Sequence, residues 1–183
     1  MKNIILVGYM GSGKTEVGKI LAKHWDLRFI NMDSEIELQT GMTVGQLFEQ
    51  FGEDYFRNLE QDYLRTFTCK EPFVLSTGGG TPCYNNQMDV LKNLGTTIYL
   101  QCSNETLFSR LKNEREHRPL IAGLSDEELR ESIEFRMKQR EPIYQLAHCT
   151  IKENSKPEEI ETLSRLLFFK NKKVKSRHDK KHN

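Results

Sequence analysis

A glycine-rich motif near the N-terminus constrains the fold of this chain more than any other stretch of sequence. It occupies residues 8–15 as GYMGSGKT and fits the pattern GxxxxGK[ST]. A short apolar run at 3–7 comes directly before it, and a segment in which Val17, Ile20 and Leu21 have helical spacing comes after it. A strand, a glycine-rich turn and a helix in this order are the context in which such a motif binds phosphate. We therefore predict a phosphate-binding loop between a first strand and a first helix.

The composition of this loop indicates what each part of it binds. Glycines let successive backbone N–H groups point at phosphate oxygens, and the helix N-terminus adds partial positive charge. The Lys14 side chain is predicted to reach the β- and γ-phosphates of a nucleotide, and the Thr15 hydroxyl is predicted to bind Mg²⁺. The predicted nucleotide-binding residues of the loop are Gly11, Ser12, Gly13, Lys14 and Thr15.

The rest of the chain alternates short apolar runs with longer segments of helical period. This alternation favours an α/β protein in which a parallel sheet is covered by helices on both faces, as a three-layer sandwich. The chain has 183 residues, a length that favours one domain over two. The predicted strands are residues 3–7, 28–31, 73–76, 97–102 and 149–152.

The charge balance of the chain argues against a nucleic-acid-binding protein. Lys and Arg number 27 and Asp and Glu number 26, so the net charge is +1. Residues 170–183 hold seven Lys or Arg and one Asp, a charge of +6, which leaves −5 for residues 1–169. We expect residues 1–169 to form a single domain. Residues 170–183 are expected to be a basic, disordered tail, because they contain almost no apolar residues.

The apolar runs and the cysteines indicate the compartment. No apolar run approaches the ~18 residues of a membrane span. Four widely spaced cysteines form no CxxC pair and have no nearby His at a zinc spacing. We expect a cytoplasmic protein with reduced thiols, without a membrane or nucleic-acid partner.

Three further groups of residues lie near predicted strand ends or between strands, where ligands bind in open α/β sheets. The second strand ends in Asn31-Met32-Asp33, and if the extended run continues, Asn31 and Asp33 point to the same face. Three glycines at 78–80 come after the third strand and would let a ligand approach backbone N–H groups. Arg57 belongs to a segment whose apolar residues have helical spacing, and Arg57 itself lies outside the stripe that they form.

Among nucleotide-binding proteins, a small-molecule kinase is favoured over a GTPase, since the chain has no NKxD run for guanine selection.

Six motifs along the chain form one pattern. They are GYMGSGKT at 8–15, MD at 32–33, FGEDYFRNLE at 51–60, STGGG at 76–80, HRPLIAG at 117–123 and REPIY at 140–144. In these motifs the chain resembles shikimate kinases, P-loop enzymes that transfer the γ-phosphate of ATP to the 3-hydroxyl of shikimate. The resemblance covers about residues 2–168 and implies a fold of the nucleoside monophosphate kinase type, with a five-stranded parallel sheet in the order 2-3-1-4-5. It also implies ATP as co-substrate, Mg²⁺ as cofactor and a monomeric enzyme.

The same resemblance implies how shikimate is bound. Asp33 would hold the ring hydroxyls and accept the proton of the 3-hydroxyl. Arg57 and Arg140 match the two arginines that bind the substrate carboxylate. Gly79 and Gly80 would contribute backbone donors from the end of the third strand.

For the nucleotide, the resemblance implies a lid at about 112–124, in addition to a substrate-binding region at about 32–62. Arg118 of the lid would close over the phosphates. Arg110 and Pro157 would enclose the adenine. The catalytic residues implied in this way are Lys14, Asp33 and Arg118.

One position departs from the family pattern. Where shikimate kinases usually have Asp-x-Asp, this chain has Asn31-Met32-Asp33, and the first Asp of the family helps to hold Mg²⁺ through its water shell. An Asn oxygen can accept a hydrogen bond from a metal-bound water but carries no charge. The alternatives left open are another small-molecule kinase, such as a gluconate kinase, and a nucleotide-binding protein with weak catalysis.

Overall fold

The secondary structure confirms the predicted alternation of strands and helices. The computed structural model describes residues 3–115 and 118–153, so Pro157 and the basic tail at 170–183 lie outside the described residues. A 3₁₀ turn, Thr81–Cys83, comes after the third strand. The elements in chain order are β1 (Ile4–Val7), α1 (Lys14–Trp25), β2 (Arg28–Asn31), α2 (Met32–Thr40), α3 (Val44–Thr66), β3 (Phe73–Ser76), α4 (Gln87–Leu94), β4 (Thr96–Gln101), α5 (Asn104–Leu111), α6 (Asp126–Tyr144) and β5 (Cys149–Lys152).

The five strands form one parallel sheet in the order β2-β3-β1-β4-β5, as the resemblance implied. β1 lies in the centre, where Ile4 is opposite Val74 of β3 and Thr96 of β4. β2 pairs with β3 and β5 pairs with β4. Because all strands run in the same direction, their carboxyl ends lie along one edge. The phosphate loop and the segments after β2 and β3 therefore meet at that edge.

Helices cover both faces of the sheet and bury two apolar clusters. Along β1, Ile5 and Val7 belong to the larger cluster under α2 to α6, whereas Ile4 and Leu6 belong to a smaller cluster that includes α1. A strand buried on both faces reads as an uninterrupted apolar run, which explains the sequence pattern of β1. None of the helices within the described ranges combines the length and the apolar composition needed to cross a bilayer.

Helix α1 packs on the sheet through a glycine. Gly18 lies against Phe29 and Leu6, where an added Cβ would approach Cδ1 of Leu6 to 3.2 Å and the Phe29 ring still more closely. Ile20 is 65% exposed, although its spacing in the sequence places it on the same stripe as Leu21. The prediction that Ile20 belongs to the buried stripe is wrong, because the face of α1 that packs on the sheet is centred on Gly18, Leu21 and Ala22.

Helix α2 begins directly after β2 and sets the backbone conformation of the residues beyond Asn31. The Asn31 side chain caps the helix, since its Oδ1 accepts hydrogen bonds from the N–H groups of Asp33 at 3.1 Å and Ser34 at 3.4 Å. The condition for placing Asn31 and Asp33 on one face, an extended run through Asp33, is not met, because Asn is a favourable N-cap residue and a helix starts at this point. Strand alternation therefore does not relate the two side chains.

Candidate active site

A cavity of about 740 Å³ opens at the carboxyl edge of the sheet, where ligands bind in open α/β proteins. It brings together the phosphate loop, the acidic residue after β2, the end of β3 and two arginines from α5 and from the segment after it. Most of the residues assigned to a site by sequence contribute to its wall. These are Gly11, Ser12, Gly13, Lys14, Thr15, Asp33, Gly79, Arg110 and Arg118.

The phosphate loop is shaped by three glycines with positive φ. Gly8, Gly11 and Gly13 have φ values of 143°, 78° and 91°, which residues with a Cβ rarely adopt. A hydrogen bond from the Ser12 N–H to the Tyr9 carbonyl, at 3.1 Å, closes the turn. Helix α1 begins directly after the loop, so the partial positive charge of its N-terminus lies at the cavity and favours an anion there.

Lys14 is buried with its ammonium group against the loop. Its Nζ donates to the carbonyl oxygens of Gly8 and Tyr9, both at 2.9 Å. Burial lowers the pKa of Lys14 to about 8, while the charge of Asp33 acts in the opposite direction. The ammonium can exchange these two carbonyls for phosphate oxygens, whose negative charge would favour the protonated form.

Asp33 lies in the first turn of α2 and faces the cavity. Its Oδ1 is buried and has no hydrogen-bond partner among the described residues. Burial raises the pKa of Asp33, and the charges of Lys14 and Arg57 oppose that shift only in part. An unsatisfied buried oxygen is costly, so a ligand hydroxyl that donates to it would bind favourably.

Arg57 is buried in α3, with 6% of its surface exposed. Its Nε and Nη2 donate to Oε1 of Glu53 at 3.2 and 2.7 Å, and its Nη1 donates to Oε2 of Glu60 at 2.6 Å. The two carboxylates come from the turns before and after Arg57 on the same helix. They fix the guanidinium group and leave part of its edge for another acceptor.

Arg140 is buried in α6 to the same degree, with 5% exposed, but it has different neighbours. Its Nη1 has no hydrogen-bond partner, and it forms no ion pair with an Asp or Glu of the described residues. Its Cζ lies 5.8 Å from the ring centroid of Tyr9. Arg57 and Arg140 are close enough for their charges to repel. Neither arginine is among the residues that line the cavity, and an anion between the two would relieve the repulsion.

The three glycines at 78–80 leave room for protein atoms. A Cβ on Gly78 would clash with Oε1 of Glu60, one on Gly79 would lie 2.9 Å from the backbone N of Met10, and one on Gly80 would clash with the Arg57 guanidinium. The sequence predicts backbone donors for a ligand at Gly79 and Gly80, and Gly79 lines the cavity.

Two arginines that the resemblance assigns to the nucleotide, Arg110 and Arg118, line the cavity. Nη1 of Arg110 donates to the Gly11 carbonyl at 3.0 Å. Nη2 of Arg118 donates to Oε2 of Glu114 at 2.6 Å, while its Nε is buried without a partner in the described part of the chain. Pro157, the other residue expected at the adenine, lies outside the described residues.

Sequence reasoning missed four residues around Arg57. Glu53 and Glu60 stand four residues before and three after it, a helical spacing at which opposite charges pair, so this signal was available in the sequence. The Thr81 hydroxyl donates to Oε1 of Glu60, and the Tyr84 hydroxyl donates to Oε1 of Glu53 at 2.9 Å. These two contacts span 21 and 31 residues, and no local pattern indicates them.

Few protein groups at the cavity suit a divalent cation. Within the residues that the structure describes, no group of three or more His, Cys, Asp or Glu side chains could hold a metal. Thr15 and Asn31 line the cavity together with Asp33. Their hydroxyl, amide and carboxylate oxygens fit Mg²⁺, which keeps several waters and takes further ligands from phosphates. The Asn31 oxygen, however, already accepts two backbone hydrogen bonds as a helix cap.

Comparisons with known proteins agree on one family. A family model described as shikimate kinase matches residues 10–167. A shikimate kinase from Phocaeicola vulgatus is 44% identical over 147 residues, 80% of this chain and 84% of the relative. One from Flavobacterium psychrophilum is 40% identical over 174 residues, 92% of this chain and all of the relative.

Solved structures agree with the sequence relatives. The structure of an Acinetobacter baumannii shikimate kinase in complex with shikimate has a TM-score of 0.82 and 33% identity, and the match covers 92% of this chain and 93% of that one. A gluconokinase from Sinorhizobium meliloti has a TM-score of 0.55 at 18% identity, over 98% of this chain and 97% of that one. The similarity to the gluconokinase shows a shared fold and nothing about function.

Proposed function

The chain belongs to the shikimate kinase family, and on that premise we propose that its active site transfers the γ-phosphoryl group of ATP to the 3-hydroxyl of shikimate. The phosphate loop and Arg118 bind the nucleotide. Asp33 binds the shikimate hydroxyls, and Arg57 and Arg140 bind its carboxylate. Gly79 and Gly80 contribute backbone donors to the substrate, and their missing Cβ atoms let the phosphate loop and the Arg57 guanidinium group approach closely.

One observation carries this proposal: two complementary polar atoms are buried without partners near the cavity. Oδ1 of Asp33 lacks a donor, and Nη1 of Arg140 lacks an acceptor, among the described residues. Shikimate supplies both missing partners, because its hydroxyls donate and its carboxylate accepts. A nucleoside monophosphate would bring a dianionic phosphate close to Asp33, and gluconate would bring an acyclic chain. A hydroxy acid therefore fits the two unsatisfied atoms, and the family of the chain favours shikimate among the hydroxy acids.

The proposed chemistry depends on position and charge more than on covalent steps. Asp33 accepts a hydrogen bond from the 3-hydroxyl and then its proton as the oxygen attacks the γ-phosphorus. The raised pKa of Asp33, which burial causes, brings the carboxylate closer to the proton affinity that a general base needs. Lys14 and Arg118 stabilise the charge on the transferred group and on the leaving oxygen.

Mg²⁺, the proposed cofactor, supplies positive charge to the β- and γ-phosphate oxygens when bound. On the protein, the Thr15 hydroxyl is the direct ligand in this proposal. Asn31 faces the same cavity but has both lone pairs of its oxygen occupied by the helix cap. Its contribution to the metal's water shell is therefore small.

Replacing Arg57 or Arg140 by lysine tests the carboxylate assignment. A charge-assisted hydrogen bond contributes roughly 1.5 to 3 kcal/mol, or about 10- to 150-fold in binding. Lysine cannot reproduce the paired N–H donors with which a guanidinium group binds both oxygens of a carboxylate. We expect each variant to raise the KM for shikimate at least several-fold and to leave the KM for ATP nearly unchanged, in steady-state assays of ADP release. Arg130→Lys on α6, at an exposed pair with Glu105, is the matched control. Equal losses for both substrates would contradict the assignment.

Asn31→Asp tests the departure from the family pattern. One carboxylate oxygen can cap α2 as the amide does, and the second is then free to accept from a metal-bound water. The Mg²⁺ concentration for half-maximal rate should fall, by less than about tenfold because the charge acts through a water layer. Asn31→Ser, which also caps a helix but adds no charge, should not produce this fall. If Asn31→Asp alone restored activity to an inert wild type, the weakly catalytic alternative would hold instead.

The proposal includes an organisation of the chain. Residues 1–169 form one kinase domain, with the substrate-binding region at about 32–62 and the lid at about 112–124. We propose further that the enzyme is a monomer in the cytoplasm. Sedimentation velocity with and without substrates would test the monomer.

A further inference from the structure

Tyr84 lies where the segment after β3 passes α3. It comes directly after the 3₁₀ turn Thr81–Cys83, and the next two residues, Asn85 and Asn86, have φ values of 47° and 56°. The Asn85 side chain donates to Oε1 of Gln61 on α3 at 3.1 Å. The backbone of Tyr84 is therefore held beside α3 by contacts that do not involve its own side chain.

The Tyr84 side chain touches both halves of an ion pair in the acceptor site. Its hydroxyl donates to Oε1 of Glu53 at 2.9 Å, and its ring centroid lies 4.7 Å from Cζ of Arg57. The Glu53 oxygen that it holds is the one that accepts from Nε and Nη2 of Arg57. Tyr84 thus packs on the guanidinium group directly and restrains it again through Glu53.

Glu53 needs this restraint more than the other carboxylate does. It comes directly after Gly52, whose φ of 82° and ψ of 176° break α3, and its side chain is 28% exposed. A carboxylate at such a break can turn toward water, and partly exposed pairs of this kind contribute little by themselves. Glu60 is buried and also accepts the Thr81 hydroxyl. Of the two carboxylates that hold Arg57, only Glu53 depends on Tyr84.

The hydrogen bonds to these carboxylates decide which edge of Arg57 stays free. Within the described residues, three of its five N–H donors are engaged by Glu53 and Glu60. One donor on Nη1 and one on Nη2 remain, and two such donors suit a bidentate carboxylate. A rotation of the guanidinium group toward solvent would turn this pair away from the substrate.

We infer that Tyr84 is a positioning residue for recognition of the acceptor's carboxylate, acting through Arg57. The inference rests on the proposed function of Arg57. It assigns the ring of Tyr84 to the face of the guanidinium group and the hydroxyl of Tyr84 to Glu53. Loss of the hydroxyl should weaken the hold on Glu53, and loss of the ring should also free the face of Arg57.

The experiment compares two variants with two acceptors. Tyr84→Phe removes the hydroxyl, Tyr84→Leu removes the ring as well, and Tyr55→Phe, at an exposed tyrosine of α3 stacked on Phe51, is the control. Shikimate and its carboxamide, which is neutral and of nearly the same shape, are the acceptors. With shikimate we expect KM to rise about 3- to 10-fold for Tyr84→Phe and about 10- to 30-fold for Tyr84→Leu. The KM for ATP should stay within twofold, and so should the KM of the carboxamide.

The outcomes separate the inference from the function on which it rests. A wild-type enzyme that uses acid and amide equally well would overturn the carboxylate role of Arg57. If the wild type discriminates, a Tyr84→Leu variant with an unchanged KM for shikimate, or with equal losses for both acceptors, would overturn the role of Tyr84.

A double variant gives a second, independent measurement. Because Tyr84 acts through Arg57, Tyr84→Leu in an Arg57→Lys background should raise the KM for shikimate by less than twofold. A loss there as large as in the wild-type background would also overturn the inference.

Discussion

Lys14→Met is expected to lower kcat for shikimate phosphorylation by about 10²- to 10³-fold, the usual loss when one positioned donor is removed from a developing charge. Among the described residues, the Lys14 ammonium group donates to two carbonyl oxygens of the loop, so its charge is available to the γ-phosphoryl group. An interaction that strengthens as the group moves appears in kcat more than in KM. The measurement is ADP release at saturating ATP and shikimate, at pH 7, below the pKa of about 8 that burial gives Lys14.

Lys19→Met on the same helix is the control for this variant. Lys19 is exposed and pairs loosely with Glu16 at 3.8 Å, so kcat should not change. Calorimetric titration with ATP would separate lost turnover from lost binding. Normal turnover of Lys14→Met would falsify the assignment of the phosphate loop.

Asp33→Asn is expected to lower kcat by about 10²- to 10⁴-fold, the usual contribution of a positioned general base, while making the fold slightly more stable. Asn keeps the shape but cannot take the proton of the 3-hydroxyl. It also removes a buried charge whose Oδ1 has no partner among the described residues. The melting temperature should rise by a few degrees, since about 1 kcal/mol corresponds to ~2 to 4 °C in a domain of this size.

The stability gain should depend on pH in a defined direction. Burial raises the pKa of Asp33 in the folded protein above the unfolded value of about 3.9. The wild type therefore loses stability as the pH rises from about 3.9 through the raised pKa, and the Asn variant does not. The difference in melting temperature should be larger at pH 7 than at pH 4. Asp62→Asn, at an exposed pair with Arg65, should show neither effect, and a variant less stable than wild type at pH 7 would contradict the argument.

The sequence by itself determined the parts of this protein whose cause is local. β1 is an apolar run without interruption because it is buried on both faces, and the loop after it needs glycines because φ is positive at Gly8, Gly11 and Gly13. The strand order and the family were implied by six motifs, and both are confirmed. The residues assigned to the nucleotide and the acceptor remain predictions that the variants test.

Some local signals were present in the sequence and were interpreted wrongly or not at all. Asn is a frequent helix cap, and because a helix starts after Asn31, strand alternation does not place Asp33 on the same face as Asn31. Glu53 and Glu60 stand at helical spacing from Arg57. Whether Arg57 pairs with these carboxylates or is solvated is decided only by burial, and burial depends on the whole fold.

Only the tertiary structure decided how the acceptor end is held together. The contacts of Thr81 and Tyr84 with the Arg57 cluster cross 21 and 31 residues of chain, and the missing acceptor at Nη1 of Arg140, among the described residues, depends on which elements pack on α6. The glycines at 78–80 show the reason most directly. The sequence shows that these three residues have no Cβ atom. Which groups occupy the space that a Cβ would fill depends on how β3, α3 and the phosphate loop pack. Backbone conformation is set by neighbours along the chain, whereas the partners of a buried polar atom are set by elements that meet only after the chain has folded.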